Sequence, residues 1–395
     1  MMDNNFYVEV GYQQKNHGKE RICGDVFLSR RIKEENRIVA VLSDGMGHGV
    51  KANILATLTA SMAMNFTREH KDVTRIAEII MNTLPVCSVR KISYSTFTAV
   101  DIEMNARTSI LEYDNPGSFI MRGSSPLEAE WNCLILSSEK NKGKEIKSCH
   151  FQPRKEDRII FCSDGITQSG MGSRNYPFGW GWDNVQEFIK EIIEQQPDIS
   201  AQKLASRILN AAYKNDNYNA QDDTSCAVLY FREPRKLLLC SGPPFEDEND
   251  ARLASIVNDF KGKKILSGGT TGDIVARELD LKITDTFEFH DPDLPPISYM
   301  DGIDLVTEGI LTLSKVSKIL NEYTHNYVPG KGPADQIVKL LLESDEIRII
   351  IGTRINIAHQ DPNLPVELEI RRTVLKRIGR KLEEKFLKEV IIEYI

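Results

Sequence analysis

Residues 38–42 form an unbroken apolar run that ends in Ser43, Asp44 and Gly45. A second run, 159–162, ends the same way in Ser163, Asp164 and Gly165. Short continuous apolar runs bounded by turn residues predict strands buried on both faces. Similar β-rich runs recur between residues 6 and 233: FYVEVGYQ, DVFLSRRI, RIVAVLS, STFTAVDIE, SILEYDN, GSFIMRG, DRIIFCSDG and SCAVLYF. Their turns carry Asn, Pro and Gly, as in YDNPGS, which predicts antiparallel connections. Residues 49–70 with 72–84, and 182–196 with 200–216, instead space their apolar residues by three and four, which predicts two pairs of helices. Strands and helices grouped in this way predict an α+β layered domain.

The pattern changes after FREPRK at 231–236. Strand-like and helix-like runs now alternate: KLLLCSG, DENDARLASIVNDF, KKILSGG, TGDIVAREL and KITDTFEF, then GILTLSKVSKILNEY, ADQIVKLLLES, EIRIIIGT, a long helix and EVIIEYI. Alternation predicts a smaller α/β domain over 236–395, following a first domain over 1–233, with the boundary near Pro234. A chain of 395 residues is long for one core, which agrees with two domains. Three glycine-containing loops follow strands in the second domain: CSGPPFEDEND, LSGGTTGD and IIGTRIN. In an alternating sheet such loops gather on one side. SGGTTGD offers amides and hydroxyls to an anion at a helix start, but it is neither a Walker A loop nor a full G-x-G-x-x-G. Tight turns and helix capping explain it equally well. The basic stretch ELEIRRTVLKRIGRKLEEKFLKEV reads as an amphipathic helix with a solvated face.

Charge and composition narrow the function. A formal net charge of -7 argues against a nucleic-acid binder held by phosphate contacts. No apolar run approaches the roughly 20 residues of a membrane span, and the first residues lack the basic start and apolar core of a signal peptide. The seven cysteines are odd in number and form no C-x-x-C pair. Several, such as Cys162, Cys226 and Cys240, sit in apolar runs, as expected of reduced thiols in a cytoplasmic protein. None sits in a C-x5-R phosphatase loop: the sixth residue on is Lys155 for Cys149 and Gln168 for Cys162, and Cys226, although it has that spacing to Arg232, lies in the apolar run CAVLYF.

The carboxylates are more informative. Asp25 and the pair Asp222 and Asp223 each precede an apolar run, whereas Asp44 and Asp164 each end one. In antiparallel pairing the start of one strand lies beside the end of its neighbour, so these residues can share one rim. Crowded carboxylates repel unless a cation neutralises them, and oxygen-only ligands favour magnesium or manganese. Gly45 permits close backbone approach and offers its carbonyl as a further ligand. Taken singly, each Asp-Gly is an ordinary turn, and Asp222 and Asp223 an ordinary solvated turn or cap. His48, between two glycines, either serves the chemistry or caps the following helix. Trp180 and Trp182 either grip a protein partner or pin a loop by burial.

The ordered strings GDVF, VLSDGMGHG, IIFCSDGITQSG and QDDTSCAVLYF, with TSILEYDNPGSFIMRG between them, resemble the SpoIIE-like branch of the metal-dependent 2C-type Ser/Thr protein phosphatases. The resemblance covers about residues 6–233 and implies a β-sandwich flanked by helices. It implies that Asp44 bridges two Mn2+ or Mg2+ ions, with the Gly45 carbonyl on one of them. Asp25 would help hold the first-site cluster, and Asp164 and Asp222 would ligate the second ion, with Asp223 as the alternative to Asp222. It further implies attack on phosphoserine or phosphothreonine by a hydroxide shared between the two ions. The implied partners are a phosphoprotein, such as an anti-sigma factor antagonist, and a second copy in a homodimer, with the helix after His48 as the moving element. The sequence departs from many relatives at Gln168, where they carry glutamate, and at Asn115, Pro116 and Gly117 in the middle turn. It has no clear arginine near the N-terminal strand to match the phosphate-binding arginine of eukaryotic relatives, an absence that the bacterial branch shares. The domain over 236–395 is expected to regulate the enzyme or bind a ligand or partner. The alternative reading is a metal-binding regulatory module whose C-terminal domain senses a nucleotide or other small phosphorylated ligand.

Overall fold

The computed structural model describes residues 6–18, 20–69, 73–83, 95–103, 107–136, 141–324, 327–354 and 366–395. The chain divides into two compact units, Met1–Glu233 and Pro234–Ile395. The ends of the 72–84 helix run, the last two residues of IIGTRIN, and Cys87 lie outside the described residues.

The first unit runs β1 (Tyr7–Lys15), β2 (Val26–Ile32), β3 (Arg37–Gly45), α1 (Gly49–Arg68), α2 (Val73–Thr83), β4 (Ser95–Glu103), β5 (Thr108–Tyr113), β6 (Phe119–Arg122) and β7 (Ser125–Pro126). It continues with β8 (Trp131–Ile135), β9 (Glu145–Phe151), β10 (Asp157–Cys162), α3 (Asp164–Thr167), α4 (Trp182–Gln195), α5 (Ala201–Asn215) and β11 (Thr224–Arg232). Two sheets form, ordered β1-β11-β10-β6-β7 and β2-β3-β4-β5-β9-β8. All of these pairings are antiparallel.

The sheets stack face to face. Ile38, Ala40 and Leu42 from one meet Ile159, Phe161, Ala227 and Leu229 from the other. The alternate residues of β3, Val39 and Val41, face outward under Ala60, Ala63, Ile76 and Ile80 of α1 and α2. On the opposite side, Ile160 and Val228 face Val185 and Ile189 of α4 and Leu204 and Ile208 of α5. A strand covered on both faces needs no polar alternation, which is why 38–42 and 159–162 read as continuous apolar runs. Each such fully buried aliphatic side chain contributes about 1.5–3 kcal/mol. The small residues Ala52, Ala56, Ala60 and Ala63 line the buried side of α1 and let it lie close to β3.

β8 and β9 were not foreseen. β8 is an edge strand whose side chains are mostly exposed, so it lacks an apolar face to detect. The described cysteines Cys23, Cys133, Cys149, Cys162, Cys226 and Cys240 are free thiols, all buried except Cys133.

The second unit runs β12 (Lys236–Ser241), α6 (Asp250–Asp259), β13 (Lys263–Ser267), α7 (Gly269–Leu279), β14 (Thr284–Asp285), β15 (Ser298–Met300) and β16 (Ile303–Thr307). Then follow α8 (Ile310–Glu322), α9 (Pro333–Glu343), β17 (Glu346–Ile351), α10 (Val366–Phe386) and β18 (Glu389–Tyr394). Its sheet order is β14-β15-β16-β13-β12-β17-β18, with β16, β13, β12, β17 and β18 mutually parallel. α6 and α7 pack on one face and α8, α9 and α10 on the other. The winding therefore reverses between β12 and β17. The basic α10 buries Val374, Leu375, Ile378 and Leu382 in this domain's own core. The predicted strand KITDTFEF is corrected: only Thr284–Asp285 pairs, and Phe287 is 90% exposed.

Candidate metal centre

Register brings the acidic motifs together in two pairs. Val26 opposes Ser43, so Asp25 and Asp44 sit at the same end of β2 and β3. Cys162 opposes Cys226, so Asp164 lies beside the start of β11, next to Asp222 and Asp223. Because the sheets stack, the two pairs meet at one edge of the sandwich. The shared rim thus spans two sheets.

Burial and mutual charge raise these carboxyls together. Burial pushes the Asp25 carboxyl up to about 7, against the opposing effect of the nearby Ser163 and Ser225 hydroxyls, and the charges of Asp223 and Asp222 add to the rise. Burial raises Asp44 well above the usual carboxylate range, reinforced by Asp25, Asp164 and Asp222. Asp222 is pushed up to about 6, by burial first and then by Asp164 and Asp223. Asp164 is raised by burial, against opposing hydrogen bonds that include one from Gln168.

Glycines set the spacing. A Cβ at Gly45 would stand 2.1 Å from Ala52 O, so α1 closes directly on the Asp44 turn. A Cβ at Gly24 would stand 2.7 Å from Asp223 Oδ2. These residues are glycines because neighbouring chain segments occupy the place of a side chain.

Several carboxylates are held by hydrogen bonds. Gln168 Nε2 donates to Asp164 Oδ2 at 2.8 Å. His17 N donates to Asp223 Oδ1 at 2.9 Å, and Asp223 N donates to Asp222 Oδ1 at 2.8 Å. Ser95 Oγ donates to Asp44 O at 2.7 Å. By contrast, both carboxylate oxygens of Asp25, and Oδ2 of Asp223, are buried without a hydrogen-bond partner. A buried carboxylate oxygen left unpaired is costly, and a cation removes that cost. All the donors are oxygens, which fits a hard divalent cation. Among the described residues, no three His, Cys, Asp or Glu side chains already close into a metal-holding group.

Residues that sequence reasoning missed surround this rim. Asp114, in the left-handed region at φ 57, adds its charge to Asp164. Its only signal was its place in the YDNPG turn. His17 stacks on His48, with ring centroids 4.6 Å apart and 12° between planes. His48 Nδ1 lies 2.8 Å from Glu20 Oε1. His48 occupies the N-cap position of α1 but makes no side-chain cap there, so its partner is Glu20 and not the helix. The middle turn is braced by Asn115, whose Nδ2 donates to Thr98 Oγ1 at 3.1 Å. Trp180 is buried, whereas Trp182 is 38% exposed, donates Nε1 to Gly117 O at 2.8 Å and stacks on Phe119. The loop is pinned, but Phe178 within it is exposed.

The sequence model of the Stage II sporulation protein E (SpoIIE) family matches residues 34–232, half of the chain. The chain belongs to the SpoIIE family. This is a family of PP2C-type phosphatases. The matched span holds Asp44, Asp164, Asp222 and Asp223 and leaves Asp25 just outside. Among solved structures, the phosphatase domain of SpoIIE from Bacillus subtilis is similar at 18% identity and TM-score 0.45, over 58% of this chain and 93% of that one. The RsbU and RsbW domains of Rv1364c from Mycobacterium tuberculosis are similar at 14% identity and TM-score 0.46, over 64% and 67%. RsbX, solved in complex with magnesium, is similar at 17% identity and TM-score 0.39, over 57% and 100%. No curated protein matches the sequence. Among the described residues of this SpoIIE-family chain, no helix is long and apolar enough to cross a membrane.

Proposed function

We propose that the first unit is a metal-dependent phosphoprotein phosphatase acting on phosphoserine or phosphothreonine of a regulatory protein. The carrying observation is Asp25: a buried carboxylate with two unpaired oxygens, set among Asp44, Asp222 and Asp223. Together with membership of the SpoIIE family, it supports a cation-holding rim. Asp44, the Gly45 carbonyl, Asp164 and Asp222 would hold the cations. Asp25 and Asp223 complete the negative rim. Two divalent cations bound there, Mn2+ or Mg2+, supply hydroxide near neutral pH and screen phosphoryl charge.

The chain's own residues do the rest. Gln168 fixes the orientation of Asp164. His17 N fixes Asp223. Ser95 holds the Asp44 backbone, and α1 excludes water from beneath the Asp44 turn. The substrate by family resemblance is a small regulator of the anti-sigma factor antagonist type, in the cytoplasm. A homodimer and a regulatory second unit belong to the same proposal.

The test is hydrolysis of p-nitrophenyl phosphate with manganese, comparing wild type with Asp44→Asn. Turnover that requires manganese and is lost in the variant supports the reading. Equal turnover in the variant overturns it.

A further inference from the structure

The second unit carries a polar row where its core is otherwise aliphatic. Ser241, Ser267 and Thr307 end the adjacent parallel strands β12, β13 and β16 in lateral register. Alternation from Leu239, Ile265 and Leu305 turns all three toward α8 and α10. Ser267 and Thr307 hydroxyls are satisfied: each donates to Glu308 O, at 3.1 and 3.0 Å. Ser241 is not. Its Oγ is buried without a partner in a residue 1% exposed.

A second orphan lies in the helix that follows β16. Thr312, in the first turn of α8, is 0% exposed and its Oγ1 also lacks a partner. That turn has no side-chain cap and no acidic residue, so its first amides have no acceptor from within the helix. Positive charge comes from α10: a Cβ at Gly242, the residue after Ser241, would stand 2.6 Å from Arg371 Nη1. The row lies at the carboxyl ends of the strands, beside the point where the winding reverses between β12 and β17. In open α/β sheets that is where ligands bind.

We propose that this edge, between Ser241, Thr312 and the first turn of α8, binds the phosphate group of a small molecule. Unpaired hydroxyls, free helix-terminal amides and a guanidinium are together the chemistry that recognises phosphate. The glycine-rich SGGTTGD loop is the less suitable neighbour. Glu308 already places its carboxylate there, 3.6 Å from a Cβ built on Gly269.

The experiment is hydrogen–deuterium exchange of the full chain in metal-free buffer, with pyrophosphate and with ADP as probes. Either probe should slow exchange several-fold in peptides covering 241–243 and 309–313. Stronger protection by ADP identifies a nucleotide; equal protection identifies phosphate alone. Thr312→Val should keep or raise the melting temperature, because it removes an unpartnered hydroxyl at constant shape, and should abolish the protection. Ser241→Ala should weaken it. Protection by neither probe, protection confined to peptides of the first unit, or undiminished protection in Thr312→Val overturns the site. So does destabilisation by Thr312→Val, because the hydroxyl would then have an internal partner. Phosphatase activity does not enter any of these readings.

Discussion

Gly165 lies against the backbone of Asp223: a Cβ placed on Gly165 would stand 2.4 Å from Asp223 O. The turn after β10 and the turn before β11 therefore meet through a missing side chain, and this contact sets how closely Asp164 approaches Asp222. Gly165→Ala must push the two turns apart. We expect it to cost about 1–3 kcal/mol of stability, as overpacking does, and to weaken manganese binding. Urea unfolding of metal-free protein reads the first and calorimetric titration the second. Wild-type values in both would show that the contact yields without consequence.

Asp25 gives a change of sign. Without metal, its buried and unpaired carboxylate opposes folding. Asp25→Asn should therefore raise the stability of the metal-free protein, by roughly 1 kcal/mol on the scale of a buried polar change. With manganese the order should reverse, because wild type alone keeps the full negative rim. Thermal unfolding in EDTA and in manganese measures both. A variant less stable than wild type in EDTA would mean that Asp25 has a structural partner.

His17 reaches Asp223 through its backbone and His48 through its ring. The two contacts are separable. His17→Ala keeps the N–H and should change manganese affinity little. His17→Pro removes it and should weaken binding by roughly tenfold, the worth of a hydrogen bond to a charged group. Equal loss in both variants would assign the effect to the stacked ring instead.

What could be read from the sequence follows the physics of burial. β3 and β10 announce themselves because both their faces are covered, and their Asp-Gly ends mark where the covering stops. α4 and α5 were readable from their spacing because each has one apolar face. β8 was silent because an exposed edge strand has no hydrophobic period. KITDTFEF misled for the opposite reason: Phe287 and Phe289 have strand-like chemistry but lie exposed, past the two paired residues. In the candidate site, the aspartates at strand ends were legible from order alone. His17, Glu20 and Asp114 were not. They reach the rim by loop geometry, which leaves no periodic trace.

Glu112 offers a pH test away from the rim. Burial raises its carboxyl above the usual range, although Ser118 N, at 2.8 Å, and Ser118 Oγ, at 2.5 Å, both donate to its Oε1. The folded protein thus holds this proton to higher pH than the unfolded chain. The stability it contributes is fully present below the unfolded value, about 4.3, and is lost as pH rises through the folded one. Glu112→Gln cannot titrate. The stability of wild type minus that of the variant should fall with pH across that window and be level on either side. A difference that rises with pH would mean the carboxylate is the form the fold prefers.

Gln168 is the position where the family resemblance implies a glutamate. Its Nε2 donates to Asp164 Oδ2, so here a neutral donor steadies a carboxylate already raised by burial. Gln168→Glu removes the donor and sets a like charge beside Asp164. In metal-free protein at neutral pH this should cost on the order of 0.5 kcal/mol, since position 168 is exposed and water screens the repulsion. A divalent cation answers both charges at once, so the manganese-induced rise in melting temperature should be larger in the variant than in wild type. The paired measurement is thermal unfolding with EDTA and with saturating manganese. If manganese raises both proteins equally, the side chain at 168 does not sense the cation, and its hydrogen bond to Asp164 is packing alone. If the variant gains more, the glutamine tunes metal affinity downward. The SpoIIE-family domain of this chain would then hold cations more loosely than the Gln168→Glu variant does.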